Sequence, residues 1–177
     1  NFRGDHRGLT NPAGGSMEHQ SREKYVSIAS GVQGWSRDDL LSILLVDDDV
    51  SLCAILGTIL EMVGHQVVKV HTGADANTIL NRRSFDIAII DIVLPDIDGI
   101  TLLKDLVIRD EYMGALMLSG HASTIHAVEA LNHGADALLL KPLDPEDLSE
   151  KIERIAKVKL LEKELKASEA RYRELFE

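Results

Sequence analysis

Ile43-Leu44-Leu45-Val46-Asp47-Asp48-Asp49 is an apolar run that stops on three consecutive carboxylates. The run is short, continuous and made of Ile, Leu and Val, the pattern of a strand buried on both faces, as parallel strands are. The arrangement recurs along the chain. Ile87-Ala88-Ile89-Ile90 ends on Asp91, Leu116-Met117-Leu118 on Ser119, and Leu138-Leu139-Leu140 on Lys141, with Pro142 next. In open parallel α/β sheets, ligands bind just beyond the carboxyl ends of the strands. Several carboxylates, one hydroxyl and one ammonium are therefore expected to converge on one edge of one sheet.

The segments between these runs carry helical spacing. Val50–Met62 places Leu52, Ile55, Leu56, Ile59 and Leu60 on one side, and Gly64 follows as a C-terminal cap. Gln66–Val70 reads as a second strand and Ala74–Asn81 as a second helix. Ile87–Ile90, Ala115–Leu118 and Ala137–Leu140 read as the later strands, and Ile100–Ile108 and Ser123–Asn132 as the helices between them. A fifth helix opens after Asp144-Pro145, with Glu146 and Asp147 at its positive end. Strict alternation of this kind predicts parallel right-handed crossovers and a doubly wound α/β fold.

The fifth helix has no Gly or Pro between Pro145 and Phe176, far beyond the ~11–12 residues of an average helix. Its apolar positions change phase. Leu148, Ile152 and Ile155 suit a face docked on the sheet. Leu161, Leu165, Ser168, Tyr172 and Leu175 repeat the same four-and-three step, but one residue out of register with the first set. Val158 is read as the point where the helix leaves the domain and a seam for a dimeric coiled coil begins, with a solvated single helix as the alternative. Glu162–Lys166 and Glu169–Arg173 are acid-then-base pairs that support an exposed helix weakly.

Bulk properties narrow the function. The 177 residues carry 19 basic and 29 acidic side chains, a formal net charge of -10, which disfavours nucleic-acid binding by this chain. No apolar run reaches the ~18 residues of a membrane span. The single cysteine, Cys53, excludes an internal disulfide and fits a reducing, cytoplasmic setting. Cys53 is expected to pack in the first helix, and Asp75 and Asp86 to serve as cap or turn residues. Residues 1–41 form an N-terminal extension that includes Trp35; its first 16 residues are aperiodic, glycine-rich and read as sequence ahead of a natural start at Met17.

The chemistry follows from charge. Asp47, Asp48 and Asp91 cannot all stay ionised at close range without a counter-charge. An oxygen-only cluster suits a hard divalent cation, most naturally magnesium, a usual partner of phosphoryl groups. With no Cys or His in the cluster, a carboxylate is the available nucleophile and would form an aspartyl phosphate. Lys141 offers a positive charge and Ser119 a hydroxyl to its oxygens, from across the site. Leu94-Pro95-Asp96-Ile97-Asp98-Gly99 reads as a tight loop over the pocket, and Pro142 permits a cis peptide after Lys141.

Four features in order resemble the receiver domain of two-component response regulators: Leu-Leu-Val-Asp-Asp-Asp at 44–49, Asp91 with Leu-Pro-Asp-Ile-Asp-Gly at 94–99, Leu118-Ser119-Gly120-His121, and Gly-Ala-Asp-Ala at 134–137 with Lys141-Pro142. The resemblance covers residues 42–157 and implies a flavodoxin-like five-stranded sheet of order 2-1-3-4-5. It implies that Asp91 accepts the phosphoryl group, that Asp47, Asp48 and the Val93 carbonyl join Asp91 in holding magnesium, and that Ser119 and Lys141 serve the phosphoryl oxygens. It implies a sensor histidine kinase or phosphotransfer protein as donor, and no enzymatic activity beyond the receiver's own phosphorylation and dephosphorylation. One departure stands out. Leu138 occupies the position, three before the lysine, where many receivers carry a switching Tyr or Phe. His121 lies near the expected path of attacking water, or is a solvated loop residue.

Residues 158–177 are expected to be a helical linker able to pair two chains, and Ala167–Glu177 resembles the lead-in to a PAS domain. Two other functions remain compatible with these residues. One is a phosphorylation-independent dimerising scaffold with a receiver fold. The other is a magnesium-dependent phosphohydrolase, which Val93 disfavours because such enzymes place an acid there.

Overall fold

The computed structural model describes residues 40–120 and 124–176. Strands β1 (Ser42–Val46), β2 (Gln66–Val70), β3 (Ile87–Asp91), β4 (Gly114–Ser119) and β5 (Ala137–Leu140) alternate with helices α1 (Val50–Val63), α2 (Gly73–Leu80), α3 (Gly99–Arg109), α4 (Thr124–Asn132) and α5 (Pro145–Phe176). The sheet is parallel throughout, in the order β2-β1-β3-β4-β5. The alternation of elements predicts a doubly wound parallel sheet, and the order is the one the receiver resemblance implies. The chain winds outward from β1 in both directions, so the crevice at the carboxyl ends of β1 and β3 is the topological switch point.

Side chains alternate across each strand and build two cores. Leu44, Val46, Ala88, Ile90, Ala115 and Met117 face α2, α3 and α4, meeting Ala76, Ile100, Leu103, Leu106 and Ala130. Ile43, Leu45, Ile87, Ile89, Leu116 and Leu118 face α1 and α5, meeting Cys53, Leu56, Leu60, Leu148, Ile152 and Ile155. Both faces of the sheet are covered, which is why the strands read as unbroken apolar runs.

Element ends differ from the sequence reading by a residue, and the cause is local. Asp91 and Ser119 are the last residues of their strands rather than the first residues beyond them, because the ladder runs on to pair Asp91 with Leu118 and Ser119 with Leu140. Helices α2 and α3 each start on a glycine because the preceding side chain caps them: Thr72 Oγ1 accepts the Asp75 N–H, and the Asp98 carboxylate accepts the Thr101 N–H. A Cβ on Gly99 would stand 2.0 Å from the Asp91 carbonyl oxygen, so only glycine lets α3 begin against the end of β3. Gly64 closes α1 with φ of 111°, its N–H donating to the carbonyls of Glu61 and Leu60. Asp75 and Asp86 are a cap partner and a turn residue, as expected: Asp75 receives the Thr72 hydroxyl, and Asp86 accepts the Ser42 N–H at 2.7 Å.

Helix α5 changes character along its length. Leu148, Ile152 and Ile155 are buried, and Leu161, Leu165, Tyr172 and Leu175 are exposed. The face of Ile152 and Ile155 continues as Lys159 and Lys166, each seven residues on. Lys159 Nζ lies 3.2 Å from Asp136 and donates to the Glu111 carbonyl at 3.3 Å. Lys166 pairs with the Glu111 carboxylate and sits 5.5 Å above the Tyr112 ring. The expected Glu162–Lys166 pair is replaced by these contacts, and Glu162 turns to Lys159 at 3.7 Å. The phase change in the sequence therefore marks a change of contact from apolar to ionic on the domain-facing side, with the second apolar stripe elsewhere on the helix. No helix of the described residues is long and apolar enough to cross a membrane. The expectations for Met17, Trp35 and His121 lie outside the described residues.

Candidate functional site

The loop after β1 carries three aspartates with three different fates. Asp47 is buried beneath the edge of the sheet, and its Oδ1 accepts the Asp49 N–H at 2.9 Å. Asp48 is exposed. Asp49 caps α1, accepting the Leu52 N–H at 3.0 Å, which uses its carboxylate locally. At the end of β3, Asp91 is 5% exposed, and its Oδ1 accepts the Val93 N–H at 2.9 Å. One oxygen from each of Asp47, Asp48 and Asp91 lies within 4.8 Å of the others. Three hard oxygen ligands at this spacing, with no thiolate or imidazole among them, fit a small divalent cation.

The counter-charge is Lys141. Its Nζ stands 2.7 Å from Asp47 Oδ2 and also pairs with Asp91 Oδ2. Sequence reasoning put this ammonium across the site from the acidic cluster; it reaches over and bridges two of the cluster's members. The Lys141-Pro142 peptide is cis. Burial lifts the Asp47 carboxyl above its ordinary value, with the nearby Asp91 charge adding to the rise and the Lys141 and Asp49 hydrogen bonds opposing it. Partial burial alone would lower the Lys141 ammonium, but hydrogen bonds to Asp47 and Asp91 outweigh it and hold the ammonium above its usual value.

Ser119 is buried at the end of β4, and its backbone carbonyl accepts the Lys141 N–H at 2.8 Å. The hydroxyl-bearing and ammonium-bearing residues thus stand on adjacent strand ends, across from β1. Val93 is 67% exposed in the loop after β3, where it pairs as an isolated antiparallel bridge with Asp98. The fold accordingly brings Asp47, Asp48, Asp91, Val93, Ser119 and Lys141 to one edge. Leu138 is half-buried and packs on the α2-α3-α4 core beside its strand neighbour Met117. Cys53 lies directly under the site, its thiol donating to the Asp47 carbonyl at 3.3 Å, and burial together with the Asp47 charge pushes the thiol up to about 11. It is a packing residue, as expected.

Two residues at this edge escaped sequence reasoning. His71, just beyond β2, holds the Asp47 carbonyl at 2.9 Å through Nδ1. Asp96, in the loop after β3, takes the N–H groups of Gly73 and Ala74 on its carboxylate, at 2.9 and 2.8 Å. Those two amides hold the Asp96 carboxyl below its ordinary value. A polar residue in a loop that also contains Pro and Gly gives no sign of which distant helix it will reach.

Residues 43–153 match the protein-family model of the response regulator receiver domain. The chain is 37% identical over 114 residues to the transcriptional regulatory protein ZraR of Salmonella typhimurium, covering 64% of this chain and 26% of that protein. It is 34% identical over 133 residues to the two-component response regulator ARR14 of Arabidopsis thaliana, covering 73% of this chain and 35% of the relative. The chain therefore spans about a quarter to a third of these relatives. Among solved structures, a CheY-like response regulator receiver domain protein from Methanospirillum hungatei superimposes with a TM-score of 0.67 at 36% identity, over 70% of this chain and 98% of that one. NtrX from Brucella abortus gives a TM-score of 0.69 at 28% identity, over 72% and 29%.

Proposed function

Because this chain belongs to the response regulator receiver domain family of two-component systems, we propose that it is a phosphoacceptor switched at Asp91. The observation that carries this reading is the convergence of Asp47, Asp48 and Asp91 within 4.8 Å, with Lys141 bridging two of them. Asp47, Asp48, Asp91 and the Val93 carbonyl would hold magnesium, which supplies neutralising charge to the oxygens of a transferring phosphoryl group. The Asp91 carboxylate attacks the phosphorus of a phosphohistidine on a sensor kinase or phosphotransfer protein. The phosphorus–nitrogen bond breaks, and an acyl phosphate forms on Asp91. Lys141 then pairs with a phosphoryl oxygen instead of a bare carboxylate, and the Ser119 hydroxyl donates to another.

Residues 42–157 act as the receiver and residues 158–177 as the helix through which its state is passed on. The exposed stripe Val158, Leu161, Leu165, Tyr172 and Leu175 supports pairing with a second copy, since the ionic contacts of Lys159 and Lys166 occupy a different side of the helix. With Leu138 in place of an aromatic, Ser119 couples to the β4-β5 edge through an aliphatic side chain.

The test is intact mass after treatment with acetyl phosphate and magnesium, with light scattering on the same samples. One added phosphoryl group, lost in Asp91→Asn, supports the assignment. An unlabelled wild-type chain overturns it in favour of a phosphorylation-independent dimerising scaffold. A rise in scattering mass on labelling supports output through helix pairing.

A further inference from the structure

The ligand oxygens offered to a cation come from two loops: Asp47 and Asp48 after β1, Asp91 and Val93 at and after β3. Sheet pairing fixes the starts of these loops, but not the spacing of their outer parts. A third segment, residues 71–74, lies against both. At one end His71 holds the Asp47 carbonyl at 2.9 Å through Nδ1. A carbonyl can only accept, so Nδ1 carries the proton. At the other end the Gly73 and Ala74 amides are both taken by Asp96, at 2.9 and 2.8 Å. Next to Asp96, Ile97 packs so closely that a Cβ on Gly73 would meet its Cγ2 at 2.0 Å. The tip of the β3-α3 loop is thus fastened to α2 by a two-pronged carboxylate and by contact.

We infer that His71 and Asp96 are positioning residues for the divalent cation, acting through segment 71–74 to set the distance between the two ligand-bearing loops. The inference rests on the proposed cation site and names what holds that site in shape. Groups that orient metal ligands are worth about tenfold or more in metal affinity. The strut has a built-in comparison in Thr72, which lies between its two ends. Among the described residues the Thr72 side chain bonds within α2, accepting the Asp75 N–H at 3.0 Å and donating to the Asp75 carboxylate at 2.8 Å. Losing that cap weakens α2 without cutting either tie.

The experiment is magnesium titration by calorimetry on the full chain and its variants, with hydrogen exchange at the Gly73 and Ala74 amides. Asp96→Ala is expected to weaken magnesium about tenfold and to expose both amides. Asp96→Asn retains one acceptor oxygen and should fall between Asp96→Ala and the wild type. His71→Ala should also weaken magnesium, and Thr72→Ala should lower the unfolding midpoint while leaving the affinity within about twofold. The inference is overturned if Asp96→Ala and His71→Ala bind magnesium like the wild type, or if Thr72→Ala weakens it as much as Asp96→Ala does. If Asp48→Asn binds as well as the wild type, or the wild type does not bind, the cation site itself is refuted, and the strut with it.

Discussion

Lys141→Met is expected to destabilise the protein in a way that depends on pH. In the wild type the ammonium sits 2.7 Å from Asp47 Oδ2 and pairs also with Asp91. Without it, two buried carboxylates face each other with ligand oxygens no more than 4.8 Å apart. At an effective dielectric of about 20, two unit charges at that separation repel by about 3.5 kcal/mol. The alternative is for one carboxyl to take a proton. Relative to an ordinary carboxyl of 3.8, holding it protonated costs about 4.4 kcal/mol at pH 7 but only about 1.6 kcal/mol at pH 5. The cheaper route decides in each case. At pH 7 the repulsion that the ammonium offsets in the wild type stands uncompensated and the variant loses about 3 kcal/mol; at pH 5 taking up a proton is the cheaper route and the loss shrinks to about half. Urea unfolding followed by circular dichroism, with chelator present, measures both. Adding magnesium at pH 7 should recover more stability in the variant than in the wild type, because the cation would replace the lost positive charge. An equal loss at the two pH values would count against a repulsion offset by Lys141, and so would no loss at either.

Other consequences are as direct. His65 is buried, which lowers its imidazole below 6.5 against the opposing pull of Asp86, and its Nδ1 accepts the Leu41 N–H at 3.2 Å. On acidification the unfolded chain therefore takes up this proton first, so stability should fall as pH drops below about 6.5. Urea midpoints at pH 7.5 and 5.5 should diverge more in the wild type than in His65→Asn, and an identical pH slope in the two would count against this account. Along α5, Ile152→Ala should cost about 2–5 kcal/mol because Ile152 is buried against the sheet. Leu165→Ala, on the exposed stripe, should change the unfolding of a dilute sample by less than about 0.5 kcal/mol; a large loss there would show that the stripe is covered within one chain.

Much of this site was legible because its residues stand at the ends of buried strands. Once Ile87–Ile90 and Leu116–Leu118 are read as parallel strands, Asp91 and Ser119 have nowhere to go but the carboxyl edge. Gly64 and the α5 opening at Pro145 were legible for the same reason, since caps depend on neighbours in sequence. The two glycines that start α2 and α3 were read as lying outside their helices, because a cap is recognised only when its side chain finds its amide. The fate of Lys166 was misjudged on similar grounds. Spacing pairs it with Glu162, but Glu111 and the Tyr112 ring, more than fifty residues away in sequence, offer a carboxylate and an aromatic face together.

By itself, the sequence determined the alternation of strands and helices, the two-sided burial of the sheet and the set of polar groups at its working edge. All of these follow from the period of apolar residues, which each segment carries within itself. Which of those groups touch is settled by how remote segments pack. Lys141 bridges Asp47 and Asp91, Asp96 turns to the amides of α2, and His71 holds the carbonyl of Asp47. The physical reason is range. Burial is a property of single positions and repeats with the helix or strand, but an ion pair or a hydrogen bond between loops exists only where packing has brought two remote backbones within a few ångströms.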